Sequence, residues 1–298
     1  MTYLLTSCTQ NVANSGQQSC TGTPGRDERL WAVPAGTTIA SKALAELEAT
    51  WDTLFNKAAG LRGFPLQTIF NATPEQGEDV YETGWDNKQD FVSEGLDKIT
   101  YMLDKMSLYN GAKLRTMNGV NWEFYVVTDT GKIKGWSDDD ETFKPFSVLS
   151  FRVGKRTVET GEELERVPVT IVWADPRQWN DYPAVVEPLN ATTSWNPLEL
   201  DGIKDLYAVA SSPTTSGVIL TLTGFDGVPH EGAVLADFVV YDDSSVSQSI
   251  SGVTETSAGV YALEFSLGAG DYTGGLKTQP NATTPYFETP TLAPFTIS

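Results

Sequence analysis

Two-residue alternation of apolar and polar side chains, broken at short intervals by Gly, Pro, Asn and Asp, most limits what this 298-residue chain can become. Successive side chains of a strand point to opposite faces, so a period of two encodes a sheet with two different faces. The clearest case is "WEFYVVTDTGKIKGW", residues 122–136. Its first half is dense in aromatic and β-branched residues, and Asp129, Thr130 and Gly131 supply the turn of a hairpin. In "DKITYML", residues 97–103, Ile99, Tyr101 and Leu103 share one face. In "FSVLSFRVG", residues 146–154, Val148, Ser150 and Arg152 form a wetter face opposite Leu149, Phe151 and Val153. "ERVPVTIVWAD", residues 165–175, adds another strand.

Helical spacing is rarer. In "TIASKALAELEATWDTLFNKAAG", Leu44, Leu47, Trp51, Leu54 and Phe55 recur at three and four residues. That spacing predicts one helix over about residues 38–58, with Gly60 to end it. "KMSLYNGAKLRTMNG", residues 105–119, reads as a short helix interrupted near Gly111. "NATPEQGED", from Asn71, reads as a loop.

Near residue 190 the composition changes to "PAVVEPLNATTSWNPLELDG", rich in Pro, Asn and Thr. Residues 191–298 hold two basic and twelve acidic side chains, against 18 and 27 in residues 1–190, so the two halves differ in charge balance. Seven short strand-like segments follow, at the spacing of a β-sandwich, with Tyr261, Leu263 and Phe265 alternating. No Cys–Trp–Cys pattern accompanies them, so an immunoglobulin-like core is expected in architecture only. The expected organisation is an extended arm over residues 1–30, an α+β domain over 31–190, a linker over 191–200 and a β-sandwich over 201–298. The fold class is mainly β.

Chemistry is sparse. The net charge of −19 argues against general nucleic-acid binding, which needs a basic footprint, and against an anionic membrane surface. There is no apolar run of eighteen residues, so no membrane insertion by a helix is expected. "MTYLLTSC" lacks the basic flank and apolar length of a signal peptide. Cys8 and Cys20 lie in loop-like composition, as a short disulfide in an oxidising compartment or as two free thiols; without a nearby histidine they make a poor zinc site. The single histidine, His230, sits in a Pro/Gly segment, reads as a surface residue and has no nucleophile elbow beside it. "GAGDYTGG", residues 268–275, lacks the Lys–Ser/Thr end of a phosphate loop and reads as turns. The acidic run Asp138, Asp139, Asp140 and Glu141 does not match a twelve-position calcium loop and reads as a solvated loop. Three Asn-Ala-Thr triplets, from Asn71, Asn190 and Asn281, read as loop segments. No catalytic, cofactor-binding or metal-ligating set emerges, and a non-enzymatic protein is expected.

Eight tryptophans, none after residue 195, suit cores and interfaces and leave the C-terminal part without the strongest sugar-stacking side chain. Lys132, Lys134, Lys144, Arg152, Lys155 and Arg156 cluster beside Asp138–Glu141, a bipolar segment suited to charge complementarity between subunits. The expected assembly interface is Trp122, Phe124, Lys132, Lys134, Trp136, Asp138, Asp139, Asp140, Arg152 and Arg156.

The order of these elements, a strand, a short helix, a hairpin and two more strands before an acidic immunoglobulin-like domain, resembles the tail tube proteins of long-tailed bacteriophages. The resemblance covers about residues 75–190 and is one of organisation. It implies an antiparallel sandwich or barrel, joined into hexameric rings that stack into a conduit. DNA passes through without specific binding, along an acidic wall. It also implies a hairpin at residues 122–136 and an arm at residues 1–30 that bridge subunits, other tail proteins as partners, and a C-terminal domain decorating the outside; for that domain, weak glycan contact is a separate expectation. The location implied is the phage virion, after synthesis in the host cytoplasm. The helix near residue 38 comes early for that family. Alternatives are another virion component, whether capsid, head-decoration or tail-completion protein, and a surface carbohydrate-binding protein or glycosidase.

Overall fold

The computed structural model of the chain describes residues 25–298 except 84–88, 105–107, 140, 158–165, 181, 191, 226 and 279–286. The fold is mixed α+β and dominated by antiparallel sheets. It divides into two compact units, one running through Leu54 and resuming over Gly63–Leu200, the other made of Phe55–Arg62 and Asp201–Ser298. Cys8, Cys20 and the arm up to residue 24 lie outside the described residues.

To residue 200 the elements are β1 (Asp27–Pro34), α1 (Lys42–Glu46), α2 (Glu48–Phe55), β2 (Phe64–Glu75), β3 (Val80–Thr83), β4 (Gln89–Ser93), β5 (Lys98–Leu103), α3 (Leu108–Arg115), β6 (Trp122–Thr128), β7 (Ile133–Trp136), β8 (Val148–Val153), β9 (Val167–Trp173), α4 (Arg177–Asn180) and β10 (Pro183–Val186). Eight of the strands form one antiparallel sheet in the order β10-β7-β6-β1-β2-β5-β9-β8, and β3 pairs with β4 separately. Asp27 to Leu30, expected at the end of the arm, open β1 in the middle of this sheet, paired on both sides with β2 and β6.

The sheet is partially curled. Phe146, just before the edge strand β8, exchanges backbone hydrogen bonds of 3.0 and 2.8 Å with Phe124 of β6, five places away in the strand order. One face of the curled sheet gathers Leu30, Tyr101, Phe124, Val126, Ile171 and Trp173 into a single core. On the other face of β1 and β6, Trp31 and Tyr125 meet Trp51 of α2 at ring-centroid distances of 4.7 and 4.9 Å. β6 is thus covered on both faces, which is why its sequence runs apolar with little interruption.

The expected single helix is two. The chain is extended at Leu47 (φ −83°, ψ 129°), and the second helix ends at Phe55, before Gly60. The break has a tertiary cause. The Ala45 carbonyl accepts from Trp51 Nε1 at 2.8 Å, and the Glu46 carbonyl accepts from Leu189 N at 2.8 Å and Trp195 Nε1 at 2.7 Å. These donors satisfy groups that a continuous helix would have used internally. Leu44 is consequently exposed while Trp51, Leu54 and Phe55 are buried. The helix expected to break near Gly111 runs through it as α3, with Gly111 buried.

Two further strand readings change. β8 carries a bulge between Val148 and Ser150, which throws Leu149 outward to 64% exposure instead of inward with Phe151 and Val153. The expected loop after Asn71 is the outer half of β2 followed by the β3–β4 ribbon. Residues 192–200 are bonded into the first unit: Arg29 Nη1 donates to the carbonyls of Leu198 and Leu200 at 2.8 and 2.9 Å.

The second unit carries β11 (Lys204–Thr214), β12 (Gly217–Gly224), β13 (Phe238–Asp242), β14 (Ser247–Gln248), β15 (Ile250–Ser257), β16 (Val260–Phe265), β17 (Gly270–Leu276), β18 (Phe287–Glu288) and β19 (Ala293–Ile297). They form a five-stranded sheet, β15-β16-β12-β11-β18, and a four-stranded sheet, β14-β13-β17-β19. Among the described residues, only β11 and β18 pair parallel. Leu220, Tyr261 and Leu263 from the first sheet share one core with Phe238, Val240 and Phe295 from the second. The segment 246–257 is divided between the two sheets at Ser249. The glycine-rich segment expected as turns enters β17, where a Cβ on Gly275 would lie 2.7 Å from the tip of the Leu292 side chain.

Candidate assembly surface

The β6–β7 hairpin forms as its sequence predicts. Thr128 N donates to Lys132 O at 2.9 Å, and Gly131 supplies the positive φ of 75° that the turn needs. Both strands are interior to the sheet, between β1 and β10. Trp122 and Phe124 belong to the unit's own core, with Phe124 fully buried. Lys134 Nζ reaches Asp27 Oδ1 at 2.7 Å, and the Tyr101 hydroxyl donates to Asp27 Oδ2 at 3.2 Å, tying β7 and β5 to the start of β1. Burial, with the Asp27 charge second, raises the Tyr101 hydroxyl well above its ordinary pKa. Lys132 pairs with Glu187 at 2.9 Å.

After β7 the chain turns through the acidic run. Trp136 Nε1 donates to Pro145 O at 2.7 Å, and Lys144 Nζ sits 4.9 Å from the Trp136 ring centroid while also pairing with Asp138. Asp139 accepts from the Thr142 hydroxyl and from the backbone N–H groups of Thr142 and Glu141, at 2.6, 2.8 and 3.0 Å. These donors hold its carboxyl below the usual range, the Thr142 hydroxyl contributing most. The Asp139 oxygens are thus engaged by their own loop, and no group of three or more metal-ligating side chains occurs among the described residues. Asp140 lies outside the described residues.

Arg152 stands apart, exposed on β8 at the opposite end of the strand order, with Arg156 half-buried beyond it. The structure therefore gathers Trp136 and Asp138 around Lys144, turns Asp139 back onto its own loop, places Lys132 and Lys134 in ion pairs, and puts Arg152 on a sheet edge.

Sequence reading missed an exposed apolar feature of the unit. β3 and β4 present Val80, Tyr81, Phe91 and Val92, all more than half exposed. Tyr81 and Phe91 meet edge to face at 5.8 Å. The signal was present as two short apolar runs, "VY" and "FV", on either side of "ETGWDNKQD", but Pro, Gly and acidic residues around them dominated the reading. At the neck of the ribbon, Gly77 and Gly95 touch backbone to backbone; a Cβ on Gly77 would lie 2.5 Å from Leu96 N.

His230 in the second unit is also placed otherwise than expected. It is buried, its ring centroid 4.2 Å from that of Phe287, and its carbonyl accepts from the Tyr261 hydroxyl at 2.8 Å. Its Pro/Gly surroundings concealed a loop folded over the core. No helix among the described residues is long and apolar enough to cross a membrane. No protein-family model matches the chain, and no curated protein matches it in sequence.

Proposed function

We propose that the chain is a non-enzymatic structural protein that assembles with copies of itself, as stacked hexameric rings forming the tail tube of a long-tailed bacteriophage. The observation that carries this reading is the curled antiparallel sheet that ends in β8, a strand with a partner strand on one side only and with Leu149, Ser150 and Arg152 exposed. An open edge offers backbone groups to a strand of another subunit, and such edges are otherwise an aggregation hazard. In this reading the curled sheet is the tube wall and DNA passes without specific contact. The second unit, with two sheets around one core, is an immunoglobulin-like sandwich on the outer surface.

Negative-stain electron microscopy of the purified chain, with its mass in solution, tests the proposal. Rings of about six subunits or hollow tubes are expected. A chain that stays at its monomer mass of 32.4 kDa at every concentration overturns it.

A further inference from the structure

Two surfaces of the first unit are opposite in charge and alike in having uncovered apolar side chains. Residues 75–97 carry eight acidic side chains and one basic. Within them β3 and β4 form a ribbon of two strands, which is marginal in water by itself, and its Val80, Tyr81, Phe91 and Val92 are exposed among the described residues. The glycine contact at its neck sets the ribbon's course from the end of the sheet through the backbone.

The second surface is the edge of β8. Residues 148–157 carry three basic side chains and no acidic one. Arg152 and Lys155 are exposed, and neither makes an ion pair among the described residues. The bulge turns Leu149 out beside them. The open run is short, because the Asn118 side chain occupies the backbone of Val153. It accepts from Val153 N at 2.7 Å and donates to Val153 O at 3.3 Å, as a neighbouring strand would. Residues 149–152 remain open among the described residues, close to the four- and five-residue lengths of β3 and β4.

We infer that the acidic β3–β4 ribbon of one copy docks on the basic β8 edge of a second copy, with Glu78 and Glu82 beside Arg152 and Lys155 and the ribbon's apolar side chains over Leu149. This rests on the self-assembly reading and names the contact that performs it. Charge complementarity selects a second copy as the occupant, since the chain carries both halves. The two patches differ, so the contact is head-to-tail and generates a closed ring or an open filament, not a two-fold dimer.

Charge reversal tests it. One variant carries Glu78→Lys and Glu82→Lys, the other Arg152→Glu and Lys155→Glu; all four side chains are exposed, and circular dichroism checks that each variant folds. Each variant alone is expected to stay at the monomer mass where the unaltered chain assembles. An equimolar mixture is expected to recover rings, because positions 78 and 82 of every ribbon then meet positions 152 and 155 of opposite charge on the neighbouring edge. Phe91→Ser, which changes no charge, is expected to weaken assembly at least tenfold in the concentration required. Rings from either charge-reversed variant alone, or a mixture that stays monomeric, overturn this contact while leaving the self-assembly reading intact. A monomeric unaltered chain overturns both.

Discussion

Arg62 and Glu288, 226 positions apart in the chain, face each other in the second unit as a buried two-pronged ion pair, with Nη1–Oε1 at 2.9 Å and Nη2–Oε2 at 3.1 Å. The fork geometry of a guanidinium matches a carboxylate in this way, and burial makes the pair costly to break from one side. The Arg62 Nε has no hydrogen-bond partner among the described residues, so part of its desolvation is not offset. Arg62→Ala or Glu288→Ala should each destabilise the second unit by about 3–5 kcal/mol, whereas Arg62→Met combined with Glu288→Leu should cost far less. Urea unfolding of the four proteins checks the expectation; equal losses in the single and double variants would contradict it.

Trp51 anchors the helical face of the curled sheet. It is fully buried against Trp31 and Tyr125, and its Nε1 holds the Ala45 carbonyl where the helix breaks. Trp51→Ala should cost about 3–5 kcal/mol. Trp51→Phe should cost less than the Ala variant but more than packing alone explains, because the Ala45 carbonyl loses its donor. Thermal melting ranks the three chains.

Gly135 in β7 lies where the chain returns after the acidic run. A Cβ there would sit 2.5 Å from Lys144 O and 2.8 Å from the Phe143 ring, beside the paired backbone bonds of Trp136 and Lys144 at 2.9 Å. Gly135→Ala should therefore destabilise by about 1–3 kcal/mol through overpacking, although alanine suits most strand positions better than glycine. A chemical-denaturation midpoint equal to that of the unaltered chain would show that the turn yields freely.

His230 predicts a pH response confined to the second unit. Burial lowers its pKa from the ordinary 6.5, against the opposing pull of Asp237 and Glu255. Its Nε2 has no hydrogen-bond partner among the described residues, so a proton added there would be buried without an acceptor. The unfolded chain binds that proton at higher pH than the folded one. The neutral ring's contribution is therefore complete above pH 6.5 and declines as the pH falls below it, through the lowered folded value. His230→Phe keeps a ring against Phe287 and cannot titrate. Between pH 7 and about 5 its melting temperature should fall less than that of the unaltered chain; parallel slopes would assign the acid sensitivity elsewhere.

Local pattern and final structure agree where one strand's own alternation meets one buried face. β5 buries Tyr101 and Leu103, β16 buries Tyr261, Leu263 and Phe265, and the β6–β7 turn uses Gly131 as its sequence asks. They part where a distant partner intervenes. Trp195 and Leu189 stabilise a helix break at Leu47 that the spacing of Leu44, Leu47 and Trp51 cannot reveal. The bulge between Val148 and Ser150 turns Leu149 outward, because the added residue is left without a place in the ladder, while Phe151 and Val153 beyond it keep the expected face. Among the expected interface residues, Phe124 and Lys134 went to the unit's own core and ion pairs for the same reason. An apolar or charged side chain on a strand does not encode which neighbour will cover it.

By itself the sequence determined that the chain is mainly β, that it divides near residue 200, that it is strongly acidic, and where most strands and the sharpest turn lie. These follow from two-residue periodicity, turn chemistry and composition, all of which act within a few residues. Only the tertiary structure decided that β1 lies at the centre of the large sheet, that this sheet curls until Phe146 meets Phe124, and that His230 is buried. It also decided that Arg62 finds Glu288, and that the acidic β3–β4 ribbon and the basic β8 edge are exposed among the described residues. Those outcomes depend on contacts between residues far apart in the chain, whose energies are set by the whole packed unit and leave no local periodicity to read.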